Sequence, residues 1–160
     1  MTASFSHRSG FHLLGNMATL FFFGPTAFAS LGARAFVGLY LGSGIASSSA
    51  HAATSADPRT PALGASGSIN ASVAYDILLN PLALIVVFAE FLPIPMPAAL
   101  YGVLYIGRDC AAALGYTEVK LPFGLGQQFA DLSVAHAAHV GGAACGLAAF
   151  VATRGRRGGP

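Results

Sequence analysis

The sequence predicts an all-α fold, a polytopic helical bundle suited to a lipid bilayer. Three observations carry this. The chain of 160 residues is 54% hydrophobic and 9% charged, whereas an ordinary soluble domain is about 25% charged. Its mean hydropathy is +0.64. Its apolar residues gather into five segments, most of them near the roughly 20 residues that a bilayer-spanning helix needs. Eight Lys and Arg and six Asp and Glu are too few to cover the surface of a water-soluble fold. A net charge of +2 is too small to point to nucleic acid.

The first segment runs from about His12 to Leu31, with Pro25 placed to kink it. Arg8 ahead of the apolar run Leu13–Phe23, and the small residues at Ala27-Phe28-Ala29, give this segment a rival reading as a cleaved signal peptide. The polar pair described below favours a span. Gly32-Ala33-Arg34 makes a short turn, and the second segment runs from about Ala35 to Ala52. The polar stretch Thr54–Pro61 reads as a solvated loop. The third segment, about Ser66 to Asn80, is short for a full span, so its start is expected below the membrane surface. Leu82–Leu92 is apolar but precedes Pro93, Pro95 and Pro97, a pattern through which no regular helix runs. It reads as an extended, kinked lead-in to the fourth span, about Pro97 to Leu114, near whose end Arg108 and Asp109 sit. Gly115–Leu132 reads as a loop, and the fifth span covers about Ser133 to Thr153.

These elements make one membrane domain over residues 4–153, followed by a short basic and glycine-rich tail over 154–160. Arg154, Arg156 and Arg157 read as a membrane-edge anchor. Cys110 and Cys145 lack CxxC or metal-ligand spacing and read as small packing residues. No cofactor is implied.

Five spans put the chain ends on opposite sides, so the N-terminal ends of spans one, three and five share one face. Each of those ends carries polar residues. Span three begins Gly64-Ala65-Ser66-Gly67. Ser66 at a helix start meets free backbone N–H groups and the positive end of the helix dipole, which favour a developing oxyanion. Span five begins with His136 and His139 and continues to Gly142 and Gly146. His139, Gly142 and Gly146, at i, i+3 and i+7, share a helix face. The two glycines let another helix approach closely, and Gly67 with Ala71 offers the matching small face. Packing these faces would bring His139 to Ser66 as the base that a weakly nucleophilic hydroxyl needs. Span one begins with His12 and Asn16, at i and i+4, both able to donate hydrogen bonds to an anion. Taken singly, each constellation also reads as interhelical packing; together they are what acyl transfer needs. His136 and His139 alone are a weak case for a metal site, and none is expected.

His12-x-x-x-Asn16, Gly64-Ala65-Ser66-Gly67 with Ala71, and Ala138-His139-x-x-Gly142-x-x-x-Gly146 resemble, in order, the three motifs of the rhomboid intramembrane serine proteases. Phe5-Ser6-His7-Arg8-Ser9 resembles the family's lead-in to its second helix. The resemblance covers about Ser4 to Val151. It implies a Ser66–His139 dyad with no acidic third member, and an oxyanion site from His12, Asn16 and the Ser66 backbone N–H. It implies transmembrane protein substrates that enter sideways from the bilayer and are cut near helix-destabilising residues. Gly64, Gly67, Gly142 and Gly146 are expected to serve helix packing. His136 resembles the presenilin-associated, mitochondrial branch, although the acidic residue of that branch's pattern is Val134-Ala135 here. That favours the mitochondrial inner membrane, with a plastid or bacterial plasma membrane as alternatives.

Two features depart from the family pattern. The five spans correspond to about five of the six core helices, so an N-terminally truncated sequence is expected. Asn70 stands where many relatives place an aromatic ring against the catalytic histidine. The alternative function is a catalytically impaired rhomboid-like protein that binds client transmembrane helices. A transporter subunit would need a polar path through mid-membrane, for which Glu90 and Arg108-Asp109 are the few candidates.

Overall fold

Why the apolar segments become helices, and where each one stops, is visible in a computed structural model that describes residues 2–55, 63–89, 92–116 and 135–157. A short 3-10 turn, Thr2–Phe5, leads to helix α1, Gly10–Leu31. The Ser9 hydroxyl caps α1 by accepting from the His12 N–H at 3.1 Å, so the first turn starts on a satisfied donor. Pro25 lies inside α1 without ending it. After Gly32 the chain reverses into α2, Ala33–Thr54. Helix α3 is Ser66–Leu79, α4 is Ala98–Ala113 and α5 is His136–Arg157. These bounds match the five expected segments to within a few residues. Helix α5 runs on through Arg157, into the stretch read from sequence as a tail. The loops expected around 56–61 and 117–132, and Glu90, lie outside the described residues.

One element was read only as extended chain. Leu84–Ala89 (β1) and Leu92–Pro97 (β2) pair as an antiparallel hairpin, Leu84 opposite Pro97 and Ala89 opposite Leu92. Three prolines in one strand are compatible with this because only alternate residues donate to an antiparallel ladder. Pro93, Pro95 and Pro97 occupy one parity and leave Leu92, Ile94 and Met96 to donate. Met96 turns inward against Ile85, Ile94, Tyr101 and Leu104.

Helix α3 is the axis of the bundle. Every residue from Gly67 to Tyr75 is buried. Its Ile69, Val73 and Ile77 ridge packs with Leu20 and Phe23 of α1 and Tyr101 and Tyr105 of α4. Its Gly67, Ala71 and Ala74 face meets α5 at Gly142 and Gly146. A Cβ built at Gly142 would strike the Gly67 carbonyl oxygen, and one at Gly146 the Ala71 carbonyl oxygen. Glycine at these two positions is therefore what allows backbone-to-backbone contact.

The bundle buries polar side chains within its apolar core and exposes large apolar ones. Ser43, Ser47, Ser68, Asn70, Ser72 and Asp109 are buried, while Phe11 is 88% and Phe21 73% exposed. Water would penalise that exterior; a lipid surround would not. Helices α1 and α5 are long and apolar enough to cross a bilayer unaided. At 14 residues, α3 is about 21 Å long, short of a hydrocarbon core about 30 Å thick.

Candidate active site

The site forms where the first turns of α1, α3 and α5 meet the last turns of α4. Ahead of α3, Gly64 takes φ 114°, a left-handed conformation that favours glycine, and its N–H donates to the Ala3 carbonyl at 3.0 Å. A Cβ there would fall 2.7 Å from Nε2 of His12. Gly64 was expected to pack helices; instead it lies in the turn before α3 and seats the His12 ring. Gly67 does pack helices, with a Cβ built on it meeting Ser47 of α2 at 2.5 Å.

Ser66 is the first residue of α3. The N-cap residue, Ala65, has no side-chain cap, and the helix's backbone ladder begins with Ile69 N–H donating to Ala65 O at 2.9 Å. The N–H groups of Ser66, Gly67 and Ser68 therefore have no intrahelical acceptor. Ser66 Oγ lies 2.9 Å from Nε2 of His139. The small faces of α3 and α5 thus bring this pair together, as the spacing anticipated.

The other ring nitrogen carries a feature absent from the sequence reading. Nδ1 of His139 is 2.8 Å from Oδ2 of Asp109, and Nδ1 of His136 is 2.6 Å from Oδ1 of the same carboxylate. The resemblance implied a dyad with no acidic member, and His136 read as a flanking residue. In the structure Asp109, with its side chain only 3% exposed, bridges the two imidazoles, so an acidic side chain lies against His139 and His136 shares it. A carboxylate only accepts, so Nδ1 of His139 holds the proton and Nε2 turns its lone pair to the Ser66 hydroxyl. The available signal was a carboxylate in an apolar segment, which a membrane interior does not tolerate unpaired.

Across the cavity, Asn16 donates from Nδ2 to the His12 carbonyl at 2.9 Å, which leaves its second amide hydrogen free for another acceptor. The Arg8 N–H donates to Nδ1 of His12 over 3.5 Å, so the His12 proton sits on Nε2. His12, Asn16, Gly64, Ser66, Tyr105 and His139 all border one cavity of about 310 Å³. Asn70 is 2% exposed, and the ring missing at that position comes from α4. The Tyr105 ring lies 6.3 Å from that of His139, and its hydroxyl donates to Asn70 Oδ1 at 3.2 Å. Asn70 in turn donates to the His139 carbonyl at 3.4 Å. Among the described residues no group of three His, Cys, Asp or Glu side chains is placed to hold a metal ion. Cys110 and Cys145 are both free thiols.

A helical bundle that buries polar side chains, exposes large apolar ones, and joins a serine to an imidazole at an uncapped helix start defines a class of membrane protein. The rhomboid-domain profile matches residues 1–156, and the chain belongs to the rhomboid family. It is 36% identical to RHOMBOID-like protein 12, mitochondrial, of Arabidopsis thaliana, over 96% of this chain and 46% of that protein. The chain thus spans about half the length of the curated relative it matches. No solved structure matches it.

Proposed function

We propose that the chain acts as a multi-pass intramembrane serine endopeptidase that cleaves transmembrane segments of membrane proteins. The observation that carries this is the 2.9 Å approach of Ser66 Oγ to His139 Nε2, at a helix start whose first N–H groups have no intrahelical acceptor. Ser66 Oγ attacks the scissile carbonyl carbon as His139 Nε2 takes its proton. The Ser66 N–H, the His12 Nε2–H and the Asn16 amide donate to the oxygen that gains charge. His139 returns the proton to the leaving amine, and water then releases the acyl group by the same path. In a helical substrate the carbonyls are already bonded within the helix. Segments that unwind readily are therefore the preferred targets. The name of the similar plant protein, together with His136 beside His139, favours a mitochondrial membrane, the inner one.

A fluorophosphonate probe reacts with an activated serine and tests this reading. In detergent-purified chain that retains its helical signal, the wild type is expected to label and Ser66→Ala to stay unlabelled. A folded wild type that does not label overturns the proposal. A second expectation concerns the oxyanion site. Asn16→Ala removes one donor and should lower kcat by about 10²–10³ while leaving KM and the melting temperature close to wild type. Cleavage of a transmembrane peptide in liposomes measures it, and an unchanged kcat would exclude Asn16 from the site.

A further inference from the structure

The Ser66–His139 pair needs its imidazole held in one tautomer and one orientation, and two observations show what does so. His136 and His139 are i and i+3 on α5, hence on one face, and that face meets the last turn of α4. There a single carboxylate accepts from both rings, Oδ1 from His136 at 2.6 Å and Oδ2 from His139 at 2.8 Å. With each oxygen engaged, the carboxylate of Asp109 has little freedom to rotate.

We infer that Asp109 is a positioning residue for the proposed reaction, the third member of a Ser66–His139–Asp109 relay. The inference rests on the protease reading above. Asp109 keeps the proton on Nδ1, so Nε2 remains the acceptor for Ser66. When the Ser66 proton moves to Nε2, the ring becomes an imidazolium in a site where its side chain is only 12% exposed. Little water can compensate that charge, and Asp109 does so through the Nδ1–H bond. Asp109 itself gains no proton: the hydroxyl proton stays on Nε2 until the leaving amine takes it, while the Nδ1 proton stays where it was.

A purely architectural role, tying α4 to α5, would use the same two bonds. The test therefore separates chemistry from folding. Cleavage of a transmembrane peptide by full-length chain in liposomes is followed for the wild type, Asp109→Asn and Asp109→Glu, with thermal melting and fluorophosphonate labelling in parallel. Asparagine can present its NH₂ to Nδ1 and so favour the wrong tautomer. Asp109→Asn is expected to lower kcat by about 10²–10⁴ with KM within about twofold of wild type, and labelling of Ser66 should slow in proportion. Asp109→Glu, which keeps a carboxylate, should recover most of that loss. An Asp109→Asn protein that keeps kcat near wild type overturns the inference while leaving the Ser66 reading intact. A wild type that neither labels nor cleaves overturns the Ser66 reading first. If Asp109→Asn does not fold, Asp109→Glu decides: folded protein as slow as His139→Ala counts against the relay, and retained turnover supports it.

Discussion

Replacing His139 with alanine is expected to lower kcat by about 10⁶, leaving only the oxyanion donors and substrate binding to act. The size follows from the geometry. His139 Nε2 is the base 2.9 Å from Ser66 Oγ, and among the described residues no other side chain hydrogen-bonds that hydroxyl. The fold should persist, because the close backbone contact of α3 with α5 at Gly142 and Gly146 does not depend on the imidazole. Stability should still fall, by about 1–3 kcal/mol, since Asp109 loses one of two donors while His136 retains the other. Catalytic groups that act as a unit are not additive. The Ser66→Ala, His139→Ala double variant should therefore be no slower than the slower single one. Cleavage in liposomes and thermal melting in detergent together measure these effects. Turnover of the folded His139→Ala protein within tenfold of wild type would remove His139 as the base.

Much of this arrangement was legible in the sequence because it is local. Apolar runs of about helix length gave α1, α2, α4 and α5, and the spacing of His139, Gly142 and Gly146 within one helix gave their common face. The alternation of chain direction put the starts of α1, α3 and α5 together before any contact was known. What escaped depends on how separate helices rotate against each other. Asp109 is 30 residues from His139, and no spacing rule links the last turn of α4 to the first turn of α5. Tyr105 escaped for the same reason, since the ring beside His139 arrives from α4 instead of from position 70. The hairpin was half visible: the prolines excluded helix, but their shared parity, which spares the ladder, was not read as a pairing signal. The sequence groups Gly64 with the helix-packing glycines Gly67, Gly142 and Gly146. Its φ of 114° and the His12 ring against it belong to a turn whose shape no residue pattern specified.

The second large effect belongs to Gly142. A methyl group there would overlap the Gly67 carbonyl oxygen and lie 2.9 Å from its carbon and 3.1 Å from Ser47 Oγ. The nearest obstacle is backbone at the centre of the bundle, so no rotamer change relieves it and the two helices must separate. Overpacking of this kind costs about 1–3 kcal/mol and sometimes more, against a gain near 1 kcal/mol from replacing a helical glycine by alanine. Gly142→Ala should therefore melt lower than wild type, and Gly142→Leu should fail to hold α5 against α3. Activity should fall further than stability. His139 is one turn away on the same face, and a displacement of about 1 Å at a reacting group can cost about 10² in rate. Gly38→Ala is the control: the added methyl meets nothing within 4 Å, so melting should stay level or rise slightly and Ser66 labelling should be unchanged. Thermal melting with labelling rates for the three variants reads both effects. If Gly142→Ala melts and labels like Gly38→Ala, close backbone contact between α3 and α5 is not what holds Ser66 to His139.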